Sequence, residues 1–459
     1  MSFGSVCAVA QEGEASDGEL APSLFSVPLS EVVPPMPDNA PPPGSWRLWD
    51  VYEAALEEDD LWAAAQARYR AQIEAEPLAR ADLLPSVSAG GSFGRVHRDT
   101  SQPTGDNVRA YNQETLQIQA RQPLLNLPAL MQYRMAQQDV GVAELERELA
   151  RQDLILRVVD AYLNLMLSQE QLILVQQELL AIEAQKRQAE RMRVGGVASR
   201  TDVEEAVARL DLVRADELAM RNRRDVHRRE LQLLIYEQVP GVVPLSESPA
   251  FEAPEPSDPE AWASRAGEHA LEVQSSLLTA ERERLRIQRS RSQHLPTVSV
   301  AASMNRSTNT DLGFTADEFA RLMLELNVPL YTGGRVNSET RQARAGFDEA
   351  NEITDRTRRE QELAASRAYM DLTSALARVR ALEQAMRSSG LALEAAEMSM
   401  TVDYRTFVDV LNAQQQVYEA RLEWVAAQVD YLNAYVALHA AVGTLDEKVL
   451  THINGWLRK

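Results

Sequence analysis

One cysteine, Cys7, stands among 459 residues, so no internal disulfide can form. No run of 18 apolar residues occurs. The best stretch, residues 154–167, is interrupted by Arg157, Asp160 and Asn164, which excludes a membrane-spanning helix. Positive charge is scarce: 47 Lys and Arg face 68 Asp and Glu, a net charge of −21. A polyanion gains nothing from displacing counterions along nucleic acid, so no nucleic-acid partner is expected. The six histidines (His97, His227, His269, His294, His439, His452) show no ligand spacing with Cys or acids, and there is no Gly-rich phosphate loop or nucleophile motif. No metal or cofactor is expected, and an enzyme is the weakest reading. A spanning β-barrel survives all of these exclusions, because each of its strands carries only a weak signal.

Residues 1–46 contain no Lys or Arg, six acids and a proline cluster ending at Pro43. Such a segment cannot bury enough apolar surface to order itself and is expected to be a disordered acidic tail. Ala8-Val9-Ala10 before Gln11 has the small-x-small form of a signal-peptidase site. Residues 1–10 are therefore read as the remnant of an export signal whose start lies upstream; the alternative is a chance A-x-A in an Ala-rich chain. Gly4-Ser5-Val6 is a poor lipobox, so lipidation of Cys7 is not expected.

The chain is written twice. Leu84-Pro85-Ser86-Val87-Ser88 recurs 211 residues later as Leu295-Pro296-Thr297-Val298-Ser299. Pro123-Leu124 recurs as Pro329-Leu330, and Asp202-Val203 as Asp409-Val410. Signals in one order at nearly constant offset mark a duplication, with the small changes of offset falling in loops. The first repeat is placed at residues 47–239 (a helix over 48–81, a β-hairpin over 84–123, a helical hairpin with its tip at 193–203). A Pro-rich linker follows at 240–260. The second repeat is 261–450, with a β-hairpin over 295–329 and a tip at 401–410, and 451–459 is a C-terminal tail.

Within each repeat the period changes. Val87, Ala89, Gly91 and Phe93 alternate with polar or small residues, as do Leu116, Ile118 and Ala120. The second repeat alternates through Val298, Val300, Ala302 and Met304, then Leu322, Leu324, Leu326 and Val328. A period of two with one apolar face predicts half-buried strands of about ten residues, long enough to cross a bilayer when tilted. Residues 97–113 and 306–318 are expected as polar loops. No proline occurs from 129 to 239 or after 329, and residues 130–192 and 337–400 are rich in good helix formers. Each such run makes a rod of roughly 95 Å that needs neighbours alongside. At the tips, Ser199 or Thr201, and Thr406, are candidate caps for the returning helices, with Asp202 and Asp409 in the first turns. The arginines between 282 and 291 interleave with acids and read as solvated helix faces.

Four strands cannot close, and an open sheet edge cannot stand in hydrocarbon, so several chains must complete a barrel. A coiled-coil scaffold without a pore would account for the rods and tips but not for four amphipathic strands at matched places in two copies, and a periplasmic adaptor would carry one helical hairpin inside β-rich flanks, not two in tandem.

Several motifs sharpen this. Residues 122–124, residues 328–335 (Val-Pro-Leu-Tyr-Thr-Gly-Gly-Arg), both tips and the run from Val408 to Tyr418 resemble the TolC family of outer-membrane channel-tunnel proteins, a likeness that spans residues 47–450. Residues 441–445 are similar to the branch of that family linked to type I secretion and drug efflux. The resemblance implies a mainly α fold with a small β part. Long antiparallel helical hairpins form a periplasmic α-barrel, and four strands per chain contribute to a trimeric twelve-stranded transmembrane β-barrel. It implies an outer-membrane homotrimer in contact with lipid, served by a periplasmic adaptor (membrane fusion) protein and an inner-membrane transporter.

It also implies a periplasmic gate in which Asp202 and Thr201 face Arg405, with Tyr404 nearby, and in which Asp409 forms a ring of three carboxylates. Such a ring favours cations and raises at least one pKa by mutual repulsion. Asn412 and Met400 depart from the family pattern there, where a second acid and a tyrosine are usual. Gly195, Gly196, Val197, Arg405 and Thr406 are the expected adaptor-docking positions at the turns.

Overall fold

The computed structural model describes residues 43–102, 105–196, 198–246, 249–309, 315–401 and 404–458. The expected export remnant and nearly all of the acidic tail lie outside them, as does Val197. The chain is mainly helical with one antiparallel sheet: α1 Leu48–Glu58, α2 Asp60–Gln72, α3 Ala75–Ala81, β1 Ser86–Gln102, β2 Gly105–Leu125, α4 Leu127–Val194, α5 Arg200–Ile235, α6 Pro259–His269, α7 Leu271–Ser292, β3 Thr297–Asn309, β4 Thr315–Asn327, α8 Arg335–Thr401, α9 Phe407–Ala441 and α10 Glu447–Trp456.

Three expectations need correcting. The helix over 48–81 is three helices. Asp59 breaks the first, with extended backbone, and caps the second by accepting from the Trp62 N–H at 2.7 Å. The strands run past the lengths read from alternation, and the supposed loops 97–113 and 306–318 are largely strand. Antiparallel pairing saturates the backbone of polar residues as well as apolar ones, so β1 and β2 pair out to Gln102 and Gly105. The C-terminal tail is no tail: α10 buries Leu450, Ile453 and Trp456.

The sheet order is β1-β2-β3-β4, all antiparallel. Registers place Val87, Ala120, Ala302 and Leu322 in one cross-strand row, and Ala89, Ile118, Met304 and Ala320 in the next but one. The alternating residues of both repeats therefore share one face, and Val87, Phe93, Leu322 and Leu324 on it are exposed. The opposite face is polar: Arg121 reaches the Ser299 hydroxyl at 3.3 Å and lies 3.7 Å from Glu325.

Two compact units divide the described residues. One comprises 171–222 and 384–422; the other holds the rest, including the sheet. The second has the main core, built from α1, the middle of α4, the end of α5, α8, α9 and α10 around Tyr162, Tyr431 and Leu154. The Pro-rich linker is tied into this unit. Trp46 bridges Val242 and Leu245 bridges Leu457, while buried Tyr162 donates its hydroxyl to the Val243 carbonyl at 2.8 Å. At Gly443, φ is +74° and a Cβ would stand 2.8 Å from the His269 carbonyl, so only glycine lets the end of α9 pass so close.

Asp59 is also gripped by Arg157 of α4 through two hydrogen bonds of 2.7 and 2.9 Å, and its side chain is 5% exposed. Burial pushes this carboxyl up, but the Arg157 guanidinium and the Trp62 N–H outweigh it and hold it below the ordinary value of 3.8. Replacing Asp59 by Ala removes a cap and leaves Arg157 with Asp153 as its remaining partner, which costs about 2 kcal/mol. Because the folded-state value is depressed, this stabilisation is present above the unfolded value and is lost as pH falls through the folded one. The difference in thermal midpoint between wild type and Asp59→Ala should be full at pH 7 and shrink steadily below about pH 4.

Candidate functional site

The two hairpin turns lie in the first unit, and both are built by one device. After α4 ends, Gly195 donates to the Arg191 carbonyl, and Gly196 takes φ +76°, a left-handed conformation that a side chain would strain. Ser199 then caps α5. Its hydroxyl accepts from the Asp202 N–H at 3.1 Å, and the Asp202 carboxylate accepts from the Ser199 N–H at 2.8 Å and the Ser199 hydroxyl at 2.9 Å. The second turn repeats this with Thr406 and Asp409, at 3.2, 2.9 and 2.7 Å. Both are reciprocal capping boxes, with Asp in the place of the usual Glu. Of the two sequence candidates in the first turn, Ser199 is the cap and Thr201 is an exposed first-turn residue.

The Asp409 carboxyl is held below its ordinary range by the Thr406 hydroxyl first and the Thr406 N–H second, with Arg405 adding a favourable field. Within one chain the shift thus runs opposite to the rise expected from a ring of acids. Among the described residues no hydrogen bond or ion pair joins Arg405 to Asp202 or Thr201: both tip carboxylates are engaged by their own caps. Tyr404 is 87% exposed, its N–H donating to the Ser399 carbonyl. Met400 is partly buried against Ala396, Val410 and Ala413, so it serves as packing beneath the second turn, and Asn412 is exposed.

Other polar links of this unit were not legible in the sequence. Gln185 of α4 donates to Gln414 of α9, and Arg209 of α5 pairs with buried Glu178 of α4 at 3.1 Å. Burial raises the Glu178 carboxyl despite that arginine. The first pair is separated by 229 positions, and no local pattern announces either. Small apolar clusters support each hairpin, with Val175, Ile182, Leu210 and Val213 packed together under the first turn.

Removing either cap hydroxyl, by Ser199→Ala or Thr406→Ala, should destabilise the returning helix by about 1 kcal/mol. Hydrogen exchange of the Asp202 or Asp409 amide should then speed up about fivefold, with the core of the second unit unaffected.

Comparison with known proteins bears on the whole chain. The family model for outer membrane efflux proteins matches residues 51–235 and 262–444. The alkaline protease secretion protein AprF of Pseudomonas aeruginosa is 28% identical over 87% of this chain and 85% of its own length. The outer membrane protein TolC of Escherichia coli is 28% identical over 90% of this chain and 85% of its own. Among solved structures, the CmeC outer membrane channel of Campylobacter jejuni superposes with a TM-score of 0.73, at 16% identity, covering 89% of this chain and 88% of that one. With both repeats matched and the fold shared, the chain belongs to the outer membrane efflux protein family.

Proposed function

We propose that three copies of this chain form an outer-membrane channel for efflux or type I secretion, a twelve-stranded barrel continued by a helical tunnel in the periplasm. A periplasmic adaptor meets the hairpin turns, and an inner-membrane pump selects the cargo. The observation that carries this is the sheet itself. Its apolar face is exposed, its opposite face is polar, and among the described residues β1 and β4 each have one edge without a partner strand. Hydrocarbon forbids such edges, and sister subunits remove them by pairing β4 of one with β1 of the next. The family membership, and relatives named for protease secretion and for toluene efflux, support the same reading. The chain's part in this is conduction, with no chemical step.

In that assembly Asp202, Thr201, Arg405 and Tyr404 are the gate positions. Because the turn acids are already bonded within their own chain, links to Arg405 form between subunits and compete with the capping boxes. Gly195, Gly196, Val197, Arg405 and Thr406 meet the adaptor. Three Asp409 carboxylates surround the axis, and the Thr406 hydroxyl keeps them ionised at neutral pH against their mutual repulsion.

Native mass spectrometry of detergent-extracted protein should give about three times the 51.1 kDa of the chain. A monodisperse monomer, stable without detergent, would refute the channel. In planar bilayers the pore should prefer cations at pH 7 and lose that preference in Asp409→Ala. It should also lose it in wild type as pH falls below the ordinary carboxylate range, because the ring is charged only above its pKa. A preference that survives Asp409→Ala unchanged would reject the ring alone.

A further inference from the structure

The antiparallel registers bring the ends of α3 and α7 and the starts of α4 and α8 to one end of the sheet. That end has an unusual composition for this chain. Segments 79–85, 126–137, 289–296 and 329–345 together hold seven arginines and two acids, Asp82 and Glu339, in a chain whose net charge is −21; a third acid, Glu76, reaches this end by accepting from the Tyr133 hydroxyl at 2.8 Å. Arg80 and Arg291 each stand four residues before the duplicated Leu-Pro, so they occupy the same place in the two repeats. Both are exposed, as are Arg335, Arg341 and Arg344. Among the described residues Arg80, Arg289, Arg291 and Arg344 hold no ion pair; Arg335 has Glu339 at 3.0 Å.

Helix dipoles do not explain this arrangement. Arginines in the last turns of α3 and α7 suit a helix C-terminus, but Arg335 opens α8, where a cation is unfavourable. The eight other described helices each carry an acid in the first turn. α4 and α8, the two that start from the sheet, carry none. The start of α4 is capped by Asn126, whose side-chain oxygen accepts from the Ala129 N–H at 3.2 Å, and no acid offsets the first turn of α8.

An apolar collar lies beside the arginines. Leu84 and its repeat partner Leu295 are exposed, as are Leu124 and its partner Leu330, the last at 92%, and Tyr331 follows at 88%. Tyr331 is of the aromatic type that sits where a β-barrel meets the membrane–water boundary, and the exposed leucines beside it continue the apolar band. Arg291 and Arg335 stand at helix ends just past that collar, and Arg341 is about 9 Å further along α8. The headgroup layer extends about 5–8 Å beyond the hydrocarbon, within reach of long arginine side chains.

We infer that this arginine collar binds the phosphate headgroups of anionic phospholipid in the periplasmic leaflet. In the trimer the positions of Arg80 and Arg291 make a ring of six, with the starts of α4 and α8 beside it. The inference rests on the membrane placement proposed above and names the lipid class that the sheet end selects. The guanidinium groups hold the phosphate oxygens by charge-assisted hydrogen bonds, and the leucine collar sets the depth at which they meet.

The full chain is reconstituted in nanodiscs of phosphatidylcholine mixed with phosphatidylglycerol, and the lipid retained after detergent release is read by native mass spectrometry. Single-channel conductance and thermal midpoint are recorded on the same samples. Wild type should retain phosphatidylglycerol preferentially, and the preference should fall with salt. In the variant Arg80→Gln, Arg291→Gln, Arg335→Gln and Arg341→Gln it should weaken by about fivefold per arginine, with conductance unchanged. The four Arg→Lys substitutions should keep most of it. A channel that conducts but shows no anionic preference, or a preference untouched by the Gln variant, would overturn the inference while leaving the channel standing. In a second set of nanodiscs that also contain lipopolysaccharide, its stronger retention than phosphatidylglycerol would overturn the choice of lipid. Failure to insert or conduct would instead strike the proposed function.

Discussion

Every backbone N–H and C=O in hydrocarbon must find a partner, and among the described residues two sheet edges stand open where such a demand applies. The rest of the molecule follows from that. A β1-β2-β3-β4 order with only antiparallel neighbours can be extended from both sides by copies of itself, so closure is a property of the assembly. The apolar row through Val87, Ala120, Ala302 and Leu322 faces outward only if the two repeats share one register, and the bulge at Pro123/Leu125 re-aims β2 where it leaves the sheet for α4. The duplication supplies that shared register.

Charge is placed by position within each unit. Arginine gathers at the sheet end, while the turns carry Asp202 and Asp409 in capping boxes. Those carboxylates do local work first, satisfying helix N-termini that would otherwise go unbonded. In the gate proposed above, these intrachain caps compete with links to other subunits. The Thr406 hydroxyl favours the ionised form of Asp409. Within the second unit, Arg157 clamps Asp59 and Tyr162 fastens the linker.

Much of this was legible residue by residue. Alternation at Leu322, Leu324 and Leu326 found β4, the absence of proline found α4 and α8, and Thr406 with Asp409 announced a helix start. Alternation failed at the strand ends, because polar residues such as Arg98 and Asn107 keep pairing there: ladder hydrogen bonds belong to the backbone and ignore side-chain polarity. The helix over 48–81 read as continuous because Asp59 and Glu74 are unremarkable helix-surface residues until Arg157, 98 positions away, captures Asp59. The last residues read as a tail because ten positions are too few for a periodic signal to stand out, yet Ile453 and Trp456 pack into the main core.

By itself the sequence determined the duplication, the element types, the amphipathic strands and the turn caps, since each depends on contacts within a few positions or on a repeat that can be seen by eye. Tertiary structure alone decided that both repeats align their apolar residues on one sheet face, that Gln185 meets Gln414, and that arginines far apart in the chain collect at one end of the sheet. Those facts turn on pairing register and on contacts between residues scores to hundreds of positions apart, which are fixed only when the chain has folded.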